Sequence, residues 1–228
     1  MAFEPATSPR FFVLQQGSIS SRYDTDVYTV EPENLADAPR CPQCGDFIGM
    51  LVSLPPHRVE LELHGEELGD YMRGPGYELL ISERFAEAFQ AEGFTGLQGF
   101  HSVEVLRVKC MRKRLRKPLN VPRYYVVSAC FSRAAVDLVL NRVRFSNPPT
   151  CSECRSTGLN AIHGFVLEPN TWSGEDVFRP RGMQGDVVVS ERFKEFVERH
   201  GLTNMRLTPT EQFVWDPSNL GPAPLPTA

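Results

Sequence analysis

Apolar and polar positions follow the same course in two places along the chain. Glu78–Ile81 and Asp186–Val189 are largely aliphatic runs of strand length. Each runs into a serine and a glutamate, Ser82-Glu83 and Ser190-Glu191. A serine hydroxyl there can accept from the free N–H groups of a first helical turn, and the glutamate suits the positive end of the helix dipole. Phe85, Ala88 and Phe89 then recur at i, i+3, i+4, as do Phe193, Phe196 and Val197. That spacing predicts two short helices, each burying one stripe. Gly93 and Gly201 stand where C-terminal caps belong. Strands are predicted to follow at Val103–Val108 and Met205–Leu207.

The remaining pattern is less regular. Val59–Leu63 alternates like a half-buried strand, and Val27–Val30 and Tyr124–Ser128 read as further strands. Ala135, Leu138 and Val139 have helical spacing within Phe131–Asn141, with Ser132 as a predicted N-cap. Asp216–Ala228 holds four prolines and no periodicity, so a mobile tail is expected there.

Sliding the sequence by 108 positions lays Ser82-Glu83-Arg84-Phe85 on Ser190-Glu191-Arg192-Phe193, Glu87 on Glu195, Gly93 on Gly201 and Thr95 on Thr203. Arg73-Gly74 falls on Arg181-Gly182 in the same register. With small gaps the order extends upstream to a G-E-acid triplet and to a C-x-x-C pair. Internal repetition of this kind predicts a repeated structural unit. The expected fold class is therefore α+β: internally duplicated strand–helix–strand units whose two C-x-x-C knuckles join in one zinc-ribbon-like site. The expected organisation is an N-terminal repeat unit over 1–109 and a basic linker, strand and short helix over 110–150. A C-terminal repeat unit over 151–216 and a flexible proline-rich tail over 217–228 complete it.

Composition narrows the function classes. The chain has 228 residues, 41% of them hydrophobic and 23% charged, with a net charge of -4. That balance supports a packed core and excludes a disordered chain, a collagen and a coiled coil. No apolar run approaches the roughly 20 residues of a membrane-spanning helix, so no membrane partner is expected. The first residues lack a basic segment followed by an apolar stretch. A cytoplasmic protein is expected on that ground.

Disulfides are rare in that compartment, so the six cysteines call for another role. Four form two pairs, Cys41-Pro42-Gln43-Cys44 and Cys151-Ser152-Glu153-Cys154; Cys110 and Cys130 stand alone. A C-x-x-C turn places two sulfurs on one side of a tight loop, as two corners of a tetrahedral zinc require. Cys41, Cys44, Cys151 and Cys154 are the candidate ligands of one shared structural zinc. The 106 residues between Cys44 and Cys151 raise the closure cost over a short loop by only about 2 kcal/mol. Structural zinc is worth roughly 10–16 kcal/mol in peptides. Thiols without metal, two separate sites with other ligands, and a thiol-redox pair remain open readings of the same residues. Arg155 stands where the first knuckle has Gly45.

Between Glu104 and Asp137 there is no acidic residue, while Arg107, Lys109, Arg112, Lys113, Arg114, Arg116, Lys117, Arg123 and Arg133 are basic. A solvated loop joining the halves is the expected role, ahead of partner docking or nucleic-acid contact. His57, His64, His101, His163 and His200 fall in no metal or catalytic motif, and no nucleophile elbow or phosphate-binding glycine loop appears. No catalytic residue is assigned, and an enzyme is not expected. Trp172–Phe178 reads as a loop pinned to the core by its aromatic ends, or as a recognition surface using Glu175 and Asp176.

The CPQCG run at Cys41, the second pair at Cys151, the TWSGEDVF run and the segment GDVVVSERFKEFVERHGLTN together resemble the double-CXXCG motif proteins, a paralogous family of myxobacteria. The resemblance spans about Arg10 to Asp216. It implies an immunity protein of the Sit swarm-inhibition system, in which toxins pass between kin cells by outer-membrane exchange. The implied partner is the C-terminal domain of a cognate toxin, neutralised by binding. The alternative is a zinc-ribbon-type nucleic-acid-binding or regulatory protein using residues 107–123.

Overall fold

The computed structural model describes residues 9–30, 34–74, 76, 78–111 and 119–223. Its strands are β1 (Phe11–Gln16), β2 (Thr25–Thr29), β3 (Asn34–Ala36), β4 (Val52–Leu54), β5 (His57–Leu63), β6 (Tyr71–Arg73), β7 (Glu78–Ser82) and β8 (Leu97–Cys110). They continue with β9 (Tyr124–Ala135), β10 (Val143–Phe145), β11 (Leu159–His163), β12 (Val177–Arg181), β13 (Val187–Ser190), β14 (Met205–Pro209) and β15 (Val214–Trp215). Two α-helices, α1 (Glu83–Ala91) and α2 (Glu191–His200), follow β7 and β13.

Ten strands form one mixed sheet in the order β14-β1-β13-β12-β9-β8-β5-β2, with β7 added on β9 and β6 on β7. The β5–β8 and β9–β12 pairs are parallel and the others antiparallel. The sheet curls far enough for β1 to approach the β2 edge. There the Gln16 amide donates to the Thr25 carbonyl at 2.8 Å, and its oxygen accepts the Arg73 N–H at 2.8 Å.

Strand accounts for 42% and helix for 11% of the described residues, so the fold is mostly β. This overturns the expected α+β fold of duplicated strand–helix–strand units. In such a unit the two strands flanking the helix lie side by side, but β7 and β8 flank β9 instead. Likewise β13 and β14 flank β1, brought from the start of the chain. Each helix carries the chain over a strand supplied from elsewhere.

The helix expected over Phe131–Asn141 is also absent. β9 runs through Ala135, and the Asp137 carboxylate then accepts the N–H groups of Val139 and Leu140 in a turn. The Ser132 hydroxyl accepts from Ala134 N–H at 3.0 Å, a local bond that competes with helix. Nor is the start of the expected tail unattached. Asp216 accepts from Leu220 and Gly221, and Arg144 donates to the Gly221 and Pro222 carbonyls. Residues 224–228 of that tail lie outside the described residues.

The helical stripes read from the sequence do pack as expected. Phe85, Phe89, Phe193 and Phe196 are buried together with Phe94, their ring centroids 4.5–6.4 Å apart in the contacting pairs. Fully burying each such ring is worth roughly 1.5–3 kcal/mol. Ser82 and Ser190 cap the helices, accepting from Phe85 and Phe193 N–H. Gly93 and Gly201 follow the helices with φ of 65° and 55°, where a side chain would be strained.

The start of each helix is wired to the end of the other. Asp70 accepts from the Ser82 hydroxyl, the Arg84 guanidinium and the N–H and hydroxyl of Thr203. Asp176 accepts from the Ser190 hydroxyl, Arg192 and the N–H and hydroxyl of Thr95. Arg84 also donates to the His200 and Gly201 carbonyls at the end of α2, and Arg192 to the Glu92 carbonyl at the end of α1. Each arginine thus sits at the negative end of the other helix.

Candidate metal centre

The two C-x-x-C turns have closely similar backbones. Gly45 N–H bonds the Cys41 carbonyl at 2.9 Å, and Arg155 N–H bonds the Cys151 carbonyl at 3.0 Å. The residue closing each turn is left-handed, Gly45 at φ 79° and Arg155 at φ 51°. Arg155 therefore keeps the turn that glycine adopts freely. Its guanidinium donates to the Val136 carbonyl at 2.8 Å and to Glu168 at 2.5 Å. These contacts offset the strain of its backbone.

The fold brings all four sulfurs together. Cys41 Sγ lies 3.8 Å from Cys151 Sγ, and Cys44 Sγ lies 3.6 Å from Cys154 Sγ. All four fall within 4.8 Å of one another. A tetrahedron with zinc–sulfur bonds of ~2.3 Å has sulfur–sulfur edges of ~3.8 Å, so the arrangement has the size of a four-thiolate metal site. A disulfide needs about 2.05 Å, and all six cysteines are free thiols.

The surroundings fit the same use. Cys41, Cys151 and Cys154 are buried against Ile48 and Phe131, while Cys44 is at the surface. Ser156 N–H points at Cys154 Sγ from 3.4 Å, a bond that stabilises a thiolate. The Cys154 N–H, acting against burial, pulls the Cys151 thiol down to about 7. At Cys44 the Asp46 N–H acts in the same direction. Partial desolvation by the neighbouring knuckle and the sulfurs of Cys151, Cys154 and Cys41 outweigh it, and that thiol is pushed up to about 12. Four thiols this close cannot all ionise without a cation to offset them. The four cysteines can hold a metal ion.

Scaffolding around the second knuckle is polar. Gln184 and Gly182 both donate to the Cys154 carbonyl, at 2.7 and 3.1 Å. Arg181 clasps Glu153 with both terminal nitrogens, at 2.6 and 3.3 Å. Around the first knuckle, the Arg40 guanidinium lies 3.9 Å from the centre of the Phe47 ring.

Comparison with known families decides the affiliation. Residues 64–212 match the family model described as an immunity protein family, Imm11. The chain belongs to the Imm11 immunity protein family. Among curated proteins no relative matches it at a significant level. The part shared with the Imm11 model contains the second knuckle, whereas Cys41 and Cys44 precede it. The cysteine cluster therefore ties the Imm11 region to the segment before it.

The other candidate residues take structural places. His163 pairs with Asp216, His200 with Glu92 and His64 with Asp26, while His57 stacks on His101. Among the described residues no histidine joins the cysteine cluster. Lys109 pairs with Glu62, and Arg107 lies opposite Glu60 in the β5–β8 register, so this end of the basic stretch faces acids of its own sheet. Residues 112–118 lie outside the described residues. Trp172 packs edge-on against Phe11 and Phe178 is fully buried, which pins the loop as expected. Asp176 is buried in its hydrogen-bond network and is no recognition residue.

Sequence reading missed Asp70, Thr95 and Thr203 as network members. The signal was present: Thr95 and Thr203 recur at the 108 offset, but their partners are 81 and 133 residues away.

Proposed function

We propose that this chain binds and neutralises a cognate polymorphic toxin, as a member of the double-CXXCG group of immunity proteins. The match of residues 64–212 to the Imm11 family carries the reading, because an immunity family implies a toxin partner. Protection acts by occupation of the toxin surface rather than by turnover, in the cytoplasm of the protected cell. The resemblance of the TWSGEDVF and SERF segments to swarm-inhibition immunity proteins supports delivery of that toxin between kin cells by outer-membrane exchange.

A structural zinc completes this proposal, held by Cys41, Cys44, Cys151 and Cys154. Once bound, it supplies a cross-link between two segments and positive charge to offset the thiolates. The chain's own residues do the rest: the two turns present the sulfurs, Ser156 N–H supports Cys154, and Arg155 locks the second turn against Glu168.

Co-expression in a naive host with the toxin C-terminal domain encoded beside this chain tests the reading. Growth rescued by this chain, and not by one cognate to another toxin, is expected. No rescue from a confirmed toxin by folded chain would overturn it.

A further inference from the structure

The strand β2 closes one end of the ten-stranded sheet and, among the described residues, pairs with β5 alone. Its register shows which of its backbone groups are used. Val30 N–H bonds the Arg58 carbonyl and His64 N–H the Asp24 carbonyl, so even-numbered positions exchange bonds with β5. The N–H and C=O groups of Thr25, Val27 and Thr29 therefore face away from the sheet. Gln16 takes the Thr25 carbonyl. Among the described residues no partner takes the outward groups of Val27 and Thr29.

Of these two residues Val27 borders a slot of about 600 Å³ between β2 and the strands β1, β6 and β13. Its charged walls are Asp26 on β2, Arg73 on β6, Glu78 on β7, Arg179 on β12 and Asp186 before β13, so the arginines are its only cations among the described residues. Arg73 is exposed there. It makes no direct ion pair among the described residues, although it senses Asp186 across the slot. An open strand edge beside an uncommitted guanidinium is suited to an extended peptide segment with an acidic side chain.

We propose that the toxin domain docks here by strand addition, laying an extended segment along Val27–Thr29 and placing a carboxylate on Arg73. The proposal rests on the immunity reading above. Backbone pairing provides the hold, and Arg73 selects the acidic side chain. The exposed apolar residues Phe47, Met50, Leu51 and Leu54 form a competing surface on the loop after the first knuckle and on β4.

The test uses the full chain and the toxin domain encoded beside it, in binding and amide-exchange measurements. In the free protein the Val27 and Thr29 amides should exchange fast, and complex formation should protect them. Val27→Pro removes an outward N–H the fold does not use and should weaken binding at least about tenfold; Arg73→Ala should cost about tenfold. Protection at residues 47–54 with none at 27–29 would overturn the proposal, as would unchanged affinity in a folded Arg73→Ala variant. Failure of the wild type to bind would instead count against the immunity reading itself.

Discussion

Thr203 donates both its backbone N–H and its hydroxyl to the Asp70 carboxylate, at 2.8 and 2.7 Å, across 133 residues of chain. With Ser82 and Arg84 on the same carboxylate, this one side chain joins the start of α1 to the end of α2. Asp176 repeats the arrangement with Thr95, Ser190 and Arg192. The pair of carboxylates therefore clamps the two helices to each other and to the sheet below.

Asp70→Ala should destabilise the protein by roughly 2–4 kcal/mol, because it leaves several donors without an acceptor. Asp176→Ala should act similarly. Urea unfolding of each variant measures it, and a change within about 0.5 kcal/mol would show that the clamp is not stabilising.

The same residue predicts a pH dependence. Burial opposes ionisation of Asp70, but Arg84, Ser82 and Thr203 outweigh it and hold the carboxyl below its ordinary value. A carboxylate depressed on folding contributes stability that is present above the unfolded pKa and lost as pH falls through the folded one. Asp70→Asn should thus flatten the acid limb of the stability curve below about pH 4. An acid limb as steep as that of wild type would contradict this.

Asp186 has the opposite sign. Burial raises its carboxyl, with Arg73 and Arg179 only partly opposing. The folded state then binds the proton more tightly than the unfolded one, so this group lowers stability as pH rises through that window. Asp186→Asn should make the protein more stable at neutral pH and leave it nearly unchanged in acid. Thermal melts at both pH values read the difference.

Gly96 has φ 101°, and a Cβ there would lie 1.9 Å from the Val177 carbonyl oxygen. Gly174 has nearly the same φ, 104°, with nothing within 4 Å. Gly96→Ala should cost more than about 3 kcal/mol or abolish folding, while Gly174→Ala should cost only the backbone strain of roughly 1–3 kcal/mol. Equal losses would mean that close approach to β12 is not what demands glycine at position 96.

Cys41→Ser should remove bound zinc and several kcal/mol of stability together, because metal binding free energy is folding free energy. Cys110→Ser, at an exposed lone thiol, should change neither. Metal analysis of the purified protein alongside thermal unfolding checks both. A wild type with no metal and full stability would remove the zinc proposal.

The features legible in the chain before folding are local. A serine after an aliphatic run, phenylalanines at i, i+3, i+4 and a closing glycine specify α1 and α2, because capping and helical spacing act within a few residues. Two C-x-x-C turns likewise announce two pairs of sulfurs. Tertiary structure decided which strands lie side by side. β9 enters between β7 and β8, and β1 between β13 and β14, through backbone groups that nearly every residue carries. Side-chain pattern therefore says little about which strand is the neighbour. The closing of Thr203 on Asp70 belongs to the same class: ordinary residues whose partners are chosen by the curl of the sheet.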